Sequence, residues 1–388
     1  MRSDPLNRIA AIDALRGFAL VGILLINIIS MGGPIDADYP ASHPSLADHD
    51  WQVWWASNLF VNGAFRGLFS MLFGASALLF LREGNREMAF LRRCLWLLLV
   101  FAVLNETFLL WPGDILLIYA LAGPFLLLFR NSEPRQIFIA AAILLVAMVL
   151  WPYVVPHHQG PAESAAQQAA DLLVERHARL GSYGDTLAFM LRIDWQWTYK
   201  LHFLWWVMDA AAFMLIGMAL YRLRIITGAA PVSIYAFLAL AGLGLGLPLR
   251  AWLAWLAFNN GGDFPKAADA AFQAGRLLMT LGWLGAFMLA WKVLPRRALF
   301  APLSALGRMA LTGYLLQSAI AAFIFSGFGL GLWGALNWPQ MWATVPLIMA
   351  IIAAFCMAWL ARFEMGPAEW LWRALIFWSP PPLLKAAT

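Results

Sequence analysis

Long runs of apolar residues, separated by short polar segments, recur along the whole chain. A helix needs about 20 mostly apolar residues to cross the roughly 30 Å hydrocarbon core of a bilayer. By this criterion, about ten segments qualify as membrane-spanning helices. They lie near residues 9–31, 52–81, 94–111, 115–130, 136–152, 201–221, 229–249, 273–294, 303–327 and 341–361. The pattern predicts an all-α, polytopic membrane protein.

The composition supports the same class. Hydrophobic residues make up 62% of the chain and charged residues only 12%, whereas soluble domains contain roughly 45–50% and 25%. The basic residues are spread over short loops, which argues against a nucleic-acid-binding surface. Cys94 and Cys356 lie in apolar runs, and the chain has no phosphate-binding glycine loop, His-Glu-x-x-His or Cys-x-x-Cys motif. We therefore expect neither a disulfide framework nor a metal site.

The basic residues also predict the orientation. Lys and Arg concentrate at every second connection between spans and near both termini, and the positive-inside rule assigns these ends to the cytoplasm. These residues are Arg2, Arg8, Arg82, Arg86, Arg92, Arg93, Arg130, Arg135, Arg222, Arg224, Lys292, Arg296, Arg297, Arg362, Arg373 and Lys385. Both termini are then cytoplasmic, as an even number of spans requires.

The chain is expected to form a single membrane domain over residues 1–388. Within it, helices of residues 9–152 precede a long polar segment at 153–200, and further helices follow at 201–388. Residues 163–180 have high helix propensity, which predicts a helix at the outer membrane surface. A second outer segment, 32–50, contains His43 and His49.

The first span carries polar groups that are costly in lipid. Asp13 and Arg16 lie three residues apart on one helix face, and Asn27 lies roughly three turns beyond Arg16. Polar groups at such depth usually face a bundle interior, a cavity or a substrate path. The alternative is that Arg16 reaches lipid phosphates and Asp13 only pairs with it.

The second span carries Asn58, Asn62, Arg66 and Ser70 at intervals of four residues, which predicts one polar stripe along a helix face. An arginine in this stripe needs an anionic or carbonyl partner, or water. It serves either a substrate path or a structural ion pair. The candidate partners for such a pair are Asp13, Glu106 and Asp114.

The third span and the turn after it contain two acidic residues. Glu106, within an apolar run, suits a general acid or base near neutral pH, or an interhelical hydrogen bond. Asp114 either caps the next helix or lines the outer mouth of the bundle.

In the ninth span, Arg308, Thr312 and Gln317 follow one another, with Arg308 and Thr312 on one face. Arg308 is expected either to hold a phosphate or to reach the lipid interface.

Several motifs, in order, resemble the YeiB family of bacterial inner-membrane proteins, whose C-terminal half is a domain of unknown function. The resemblance covers about residues 9–378, and therefore nearly the whole chain. The motifs are Asp13-Ala-Leu-Arg16-Gly17 with Asn27, Phe69-Ser-Met-Leu-Phe73-Gly74-Ala75, Trp111-Pro-Gly113-Asp114-Ile115-Leu116, Leu215-Ile-Gly217-Met-Ala-Leu, Gly307-Arg308-Met309-Ala310-Leu311-Thr312-Gly-Tyr314-Leu-Leu-Gln317-Ser and Gly366-Pro367-Ala-Glu369-Trp370-Leu-Trp372-Arg373.

The N-terminal block is also similar to the opening of the heparan-α-glucosaminide N-acetyltransferase group, through Asp13, Arg16-Gly17 and Asn27. This resemblance implies acyl transfer from cytoplasmic acetyl-CoA or another acyl-CoA to an acceptor outside, often a sugar. His43 and His49 lie in the loop that holds that group's catalytic histidine, but at a longer spacing. Many YeiB-like proteins have a histidine shortly before the Trp-x-Gly-Asp turn, where this chain has Glu106.

The leading hypothesis is therefore a transmembrane acyltransferase, in which Glu106 or a loop histidine is the base. Arg308 and neighbouring basic residues would hold the coenzyme A phosphates, and Asn27 or Arg66 would stabilise the oxyanion. The further candidate ligands are Arg16 and Gln317. A secondary transporter or flippase is the alternative. The expected partners are membrane lipids, acyl-CoA and an extracytoplasmic sugar-like acceptor, and the oligomeric state stays open, a homodimer included.

We predict that five polar residues converge on one water-accessible cavity in the outer half of the bundle, because isolated burial would leave each unpaired. They are Asp13, Asn27, Arg66, Glu106 and Asp114.

Overall fold

The computed structural model describes residues 10–35, 39–41, 43–82, 86–154, 165–198, 202–260, 268–294 and 297–385. These residues form helices and one isolated β-bridge, between Phe363 and Leu384, and contain no strand. The all-α fold is thus confirmed. Arg2, Arg8, Arg296 and the start of the predicted 163–180 helix lie outside the described residues.

Fifteen α-helices can be traced in this part of the chain. They are α1 (Ala10–Gly32), α2 (His49–Ala56), α3 (Ala64–Leu81), α4 (Glu87–Trp96), α5 (Ile115–Ala122), α6 (Pro134–Val154), α7 (Ala165–Leu180), α8 (Tyr183–Thr198), α9 (His202–Arg222), α10 (Val232–Asn259), α11 (Asp269–Val293), α12 (Ala301–Arg308), α13 (Ala310–Phe325), α14 (Trp338–Arg362) and α15 (Pro367–Phe377).

The protein is a multi-pass membrane protein. Within the described ranges, 7 helical segments are long and apolar enough to cross a bilayer, or 8 if one bent pair counts as a single span. The seven are Ala10–Gly32, His49–Leu81, Pro134–Trp151, Phe203–Arg222, Val232–Asn259, Asp269–Val293 and Trp338–Arg362. Each of the ten predicted segments is helical, but the third and fourth are shorter or less regular than a full span.

Two segments depart from straight helices. The third predicted span consists of α4 followed by π-helical turns at Leu97–Ala102 and Leu104–Phe108. The ninth is broken at Met309, where α12 and α13 meet at an angle of 82°. The expectation that Arg308 and Thr312 share one helix face is therefore wrong, because the two residues belong to different helices.

The second span is also interrupted. After α2, a π-helical turn at Ser57–Val61 leads to Gly63, whose φ of 75° breaks the helix before α3 begins. The inserted turn changes the register between Asn58 and Arg66, since an α-helical stripe requires unbroken 3.6-residue periodicity. The predicted single polar stripe is accordingly split into two parts.

The helix α1 occupies the centre of the bundle. It packs against α3, α11, α12, α13 and α14, and its Leu15, Leu20 and Leu24 are fully buried. By contrast, α6 and α10 expose large apolar side chains such as Ile143 and Leu240. Such exposure suits contact with lipid, which is as apolar as these side chains.

The helices α3 and α9 meet at a reciprocal glycine contact. A Cβ atom added at Gly74 would lie 1.9 Å from the Met214 carbonyl oxygen, and one added at Gly217 would lie 1.9 Å from the Met71 carbonyl oxygen. Small residues allow this close approach, and membrane helices depend on such packing because lipid provides no hydrophobic driving force between them.

We predict that Gly217→Ala destabilises the protein by about 1–3 kcal/mol or more, because the added methyl group meets backbone rather than a movable side chain. Thermal unfolding of the purified protein in detergent measures the effect. Gly244→Ala is the matched control, since a Cβ at Gly244 has no neighbour within 4 Å. Equal unfolding temperatures for the two variants would contradict the close contact.

Candidate functional site

One end of the bundle is rich in arginine. This arginine-rich end is formed by the start of α1, the ends of α3, α9 and α12, and the segments next to them. Its residues are Arg16, Arg82, Arg93, Arg130, Arg222 and Arg308. Arg16 donates from Nη1 to Asp13 Oδ1 and to the Gly307 carbonyl, both at 3.1 Å, and from Nη2 to Ser76 Oγ at 2.8 Å. Hydrogen bonds to these protein groups therefore fix the position of the Arg16 guanidinium.

Arg308 and Gln317 lie apart from each other on separate helices. Arg308 donates from Nη2 to the Glu364 carbonyl at 3.2 Å. Gln317 is buried and donates from Nε2 to the Leu20 carbonyl at 3.2 Å. Because its amide bonds to the backbone of α1, Gln317 links α13 to the central helix.

A cavity of about 470 Å³ opens at the arginine-rich end, between the ends of α3 and α9. Its polar lining residues are Arg82, Glu87, Arg130, Asn131, Tyr221 and Arg222. Arg82 donates to the Tyr221 hydroxyl at 3.2 Å, Arg130 pairs with Glu87, and Arg222 bonds to the Arg130 carbonyl. Among the described lining residues, three guanidinium groups face one carboxylate, so this lining is positively charged. Arg308 is not among its lining residues.

Glu369 caps the start of α13, directly after the break between α12 and α13. Its Oε1 accepts from the Leu311 and Thr312 backbone N–H groups at 2.7 and 3.1 Å, and its Oε2 accepts from Thr312 Oγ1 at 2.6 Å. A carboxylate is favourable at a helix N-terminus. Burial raises the pKa of the Glu369 carboxyl, whereas its hydrogen bonds from Thr312 and Leu311 lower it.

Asp114 forms a buried polar centre with two neighbours. Asp114 Oδ2 accepts from the Leu116 and Leu117 backbone N–H groups at 2.9 and 3.2 Å, which caps α5. Its Oδ1 accepts from Asn105 Nδ2 at 2.8 Å. The Tyr314 hydroxyl, 3.3 Å from the Ile115 nitrogen, also interacts with the carboxylate.

Glu106 and Asn27 are both half-buried. Glu106 lies on the π-helical turn directly after Asn105. Among the residues that the structure describes, the Asn27 amide has no hydrogen-bond partner. Asn27 lies 14 residues after Asp13 on α1, which separates the two by roughly 21 Å along the helix.

The two histidines of the outer segment lie at the surface. His43 and His49 are exposed, and His49 Nδ1 contacts Gln52 Oε1 at 3.1 Å. Neither side chain enters a buried polar cluster. Within the described ranges, no group of three His, Cys, Asp or Glu side chains is arranged to hold a metal ion.

Arg66 belongs to a different cluster from the other predicted residues. Its Nη2 donates to Asp209 Oδ2 at 2.7 Å, and Arg276 Nη2 donates to Asp209 Oδ1 at 2.8 Å and Oδ2 at 3.1 Å. Arg276 also donates to Gln273 Oε1 at 2.9 Å. The guanidinium of Arg66 stacks on the Trp206 ring, with 4.0 Å between Cζ and the ring centroid.

The five residues predicted to share one cavity are therefore distributed over separate clusters. Asp13 lies at the arginine-rich end, Asp114 in the Asn105–Tyr314 centre, and Arg66 with Asp209. The prediction was wrong because these groups have separate partners: Asp13 pairs with Arg16 on its own helix, Asp114 with Asn105, and Arg66 with Asp209 on α9. None of the proposed carboxylates pairs with Arg66; its partner Asp209 was overlooked, although an aspartate inside an apolar span is itself a signal.

A helix outside the bundle covers the end opposite the arginine-rich one. Glu175 of α7 accepts from the Ile35 backbone N–H at 3.2 Å and from Arg179 Nε at 3.4 Å, and Arg179 contacts the Ser30 carbonyl at 3.5 Å. Burial lowers the pKa of Arg179 to about 10, and the Glu175 carboxylate partly offsets this effect. The predicted outer helix thus packs on the end of α1 through a buried ion pair.

Comparisons with known proteins place the chain in a family. Residues 220–379 match the family model described as a protein of unknown function (DUF418). The chain is 30% identical to the uncharacterized protein YeiB of Escherichia coli (strain K12), over 98% of this chain and 99% of that protein. It belongs to the YeiB-like family.

Two further YeiB-like relatives come from Bacillus. The uncharacterized protein YxaH of Bacillus subtilis (strain 168) is 27% identical over 97% of this chain and 96% of its own. An uncharacterized 39.9 kDa protein in the amylase 3' region of Bacillus acidopullulyticus is 28% identical over 98% of each chain. No solved structure gives a significant match.

In this YeiB-like protein, we predict that Asp209→Asn lowers the free energy of unfolding by about 3–5 kcal/mol, because it leaves the buried guanidinium of Arg276 and the half-buried guanidinium of Arg66 without their carboxylate. Chemical unfolding in detergent checks the value. Asp171→Asn, which removes an exposed carboxylate from α7, should change stability by less than about 1 kcal/mol. Similar losses in both variants would argue against a structural role for the cluster.

Proposed function

We propose that this YeiB-like protein is an acyltransferase of the bacterial inner membrane. It takes an acyl group, in the simplest case acetyl, from cytoplasmic acyl-CoA and delivers it to a sugar-like acceptor outside. The observation that carries this proposal is the positively charged cavity of about 470 Å³ at the arginine-rich end, which the positive-inside rule assigns to the cytoplasm.

The cavity suits the polar part of coenzyme A. Its volume lies within the roughly 300–1,000 Å³ range of small-molecule pockets. Guanidinium groups bind phosphate through paired, charge-assisted hydrogen bonds. Arg82, Arg130 and Arg222 therefore take the phosphate-binding role that sequence analysis assigned to Arg308.

The resemblance of the N-terminal block to the N-acetyltransferase group supports the reaction class. In this proposal Asn27, whose amide has no partner in the described part of the chain, donates a hydrogen bond to the oxyanion that forms on the thioester carbonyl. Glu106 is the general base and removes the proton from the acceptor hydroxyl or amine. The acceptor oxygen or nitrogen attacks the thioester carbonyl, and coenzyme A leaves as the thiol.

One observation, the broken helix pair α12–α13, raises a second candidate function: transport of a small or lipid-linked molecule. Discontinuous helices in transporters often direct a half-helix N-terminus toward an anionic substrate. Here, however, the N-terminus of α13 already receives the carboxylate of Glu369. This occupied position favours acyl transfer over transport.

We predict that purified protein in nanodiscs binds acetyl-CoA and, with water as the acceptor of the acetyl group, releases coenzyme A and acetate. We also predict that Arg222→Gln lowers acetyl-CoA affinity about tenfold or more, because hydrogen bonds to charged groups contribute roughly 1.5–3 kcal/mol each. Calorimetry measures the affinity, and a thiol-specific reagent detects the coenzyme A released. Arg135→Gln is the control, since Arg135 is exposed near the same end and does not line the cavity.

Three results would count against this proposal. Acetyl-CoA that does not bind, or that binds Arg222→Gln and wild-type protein equally, removes the cavity from the donor site. Uptake of solute into proteoliposomes without consumption of acetyl-CoA favours transport. Unchanged release of coenzyme A by Glu106→Gln removes Glu106 as the base.

A further inference from the structure

Arg250 carries a buried charge that has no carboxylate partner among the residues that the structure describes. Its side chain is only 2% exposed, and its Nε donates to the Asn58 carbonyl at 2.7 Å. Both terminal nitrogens, Nη1 and Nη2, are buried and have no hydrogen-bond partner within the described ranges. Buried polar groups are hydrogen-bonded in the great majority of cases, so such an exception requires an explanation.

The surroundings of Arg250 add positive rather than negative charge. Its guanidinium lies 4.9 Å from the Phe272 ring centroid, and the guanidinium of Arg276 lies 5.7 Å from the same centroid. Arg276 and Arg66 already share the carboxylate of Asp209. Among the described residues, the three guanidinium groups are therefore balanced by one carboxylate.

The backbone brings these charges together. Gly63 adopts a left-handed conformation with φ of 75°, and a Cβ atom there would lie 2.4 Å from Arg276 Nε. The break between α2 and α3 thus leaves room for the arginine side chains. Asp209 and Arg276 each lie 7 residues after the start of their helices, α9 and α11. Both helices start at the end of the bundle opposite the arginine-rich end. The cluster of Arg66, Arg250 and Arg276 therefore lies nearer that opposite end.

Uncompensated charge in the membrane interior is costly and usually marks a functional site. A water molecule would satisfy hydrogen bonds but leave the charge. A guanidinium presents its terminal nitrogens in a planar fork that matches the two oxygens of a carboxylate or phosphate. Access is available on one side, because the Arg66 side chain is 24% exposed.

We propose that Arg250, with Arg276 and Arg66, binds an oxyanion, the phosphate or carboxylate group of a molecule that enters beside Arg66. The Nη1 and Nη2 groups of Arg250 donate to two oxygens of this group, and its negative charge completes the balance of the cluster. The proposal does not depend on acyl transfer, because binding is measured without acyl-CoA.

The test is the thermal stability of the full-length protein in neutral detergent, titrated with inorganic phosphate or acetate against chloride at equal ionic strength. A second arm compares nanodiscs of phosphatidylglycerol with nanodiscs of phosphatidylcholine. We expect phosphate or acetate to raise the unfolding temperature saturably if the ligand is a free anion. A rise in phosphatidylglycerol alone identifies a lipid headgroup as the source.

Arg250→Gln should weaken the response to the active anion about tenfold or more. Without that anion, its unfolding temperature should equal or exceed that of the wild type, because an unpaired buried charge has been removed. Arg250→Lys keeps the charge without the planar fork and should show an intermediate loss. Arg192→Gln, which removes an exposed arginine of α8, is the control and should respond as the wild type does.

Two outcomes would overturn the proposal. The first is the absence of any stabilisation by phosphate, acetate or phosphatidylglycerol beyond that of chloride or phosphatidylcholine. The second is an unchanged response in both Arg250 variants. Destabilisation of Arg250→Gln with an unchanged response in Arg250→Lys would assign Arg250 to the contact with Asn58 alone.

Discussion

The carboxylate of Asp209 is the interaction on which the arrangement of the bundle depends. It accepts hydrogen bonds from Arg66 on α3 and Arg276 on α11 while it is itself carried by α9. In the low-dielectric interior, each of these charges alone would be strongly unfavourable. The three helices must therefore lie where their charged side chains meet, which leaves little freedom in their relative rotation and depth.

The close packing of the backbone follows from the same constraint. Once Asp209 positions α9 against α3, Gly74 and Gly217 allow the two helices to come into direct backbone contact. The pair of helices α3 and α9 then extends from the Asp209 cluster at one end to the cavity lined by Arg82 and Arg222 at the other. The 16 residues from Arg66 to Arg82 correspond to roughly 24 Å of helix, so the two positively charged regions lie near opposite ends of one rigid unit.

The sequence predicts the helices well because an apolar run of sufficient length is a local property. The local sequence similarly offers two interpretations of Asp114, and the structure confirms that this residue caps α5. Partners were harder to predict, because they depend on which helices pack together. Asp209 is 143 residues from Arg66, and Glu369 is 57 residues from Thr312. The π-helical turns and the bend at Met309 likewise depend on tertiary contacts, which the periodicity of the sequence does not show.

The separation of Arg66 and Asp209 along the chain has a consequence for biogenesis. Chains are synthesised at about 5–20 residues per second, so roughly 7–30 s pass between the synthesis of Arg66 and that of Asp209. During this interval the guanidinium of Arg66 lacks the carboxylate with which it pairs in the folded protein. Arg276 follows Asp209 by 67 residues, so the complete cluster forms only after α11, as well as α9, has been synthesised. The contact among α3, α9 and α11 is therefore a late step in the assembly of the bundle.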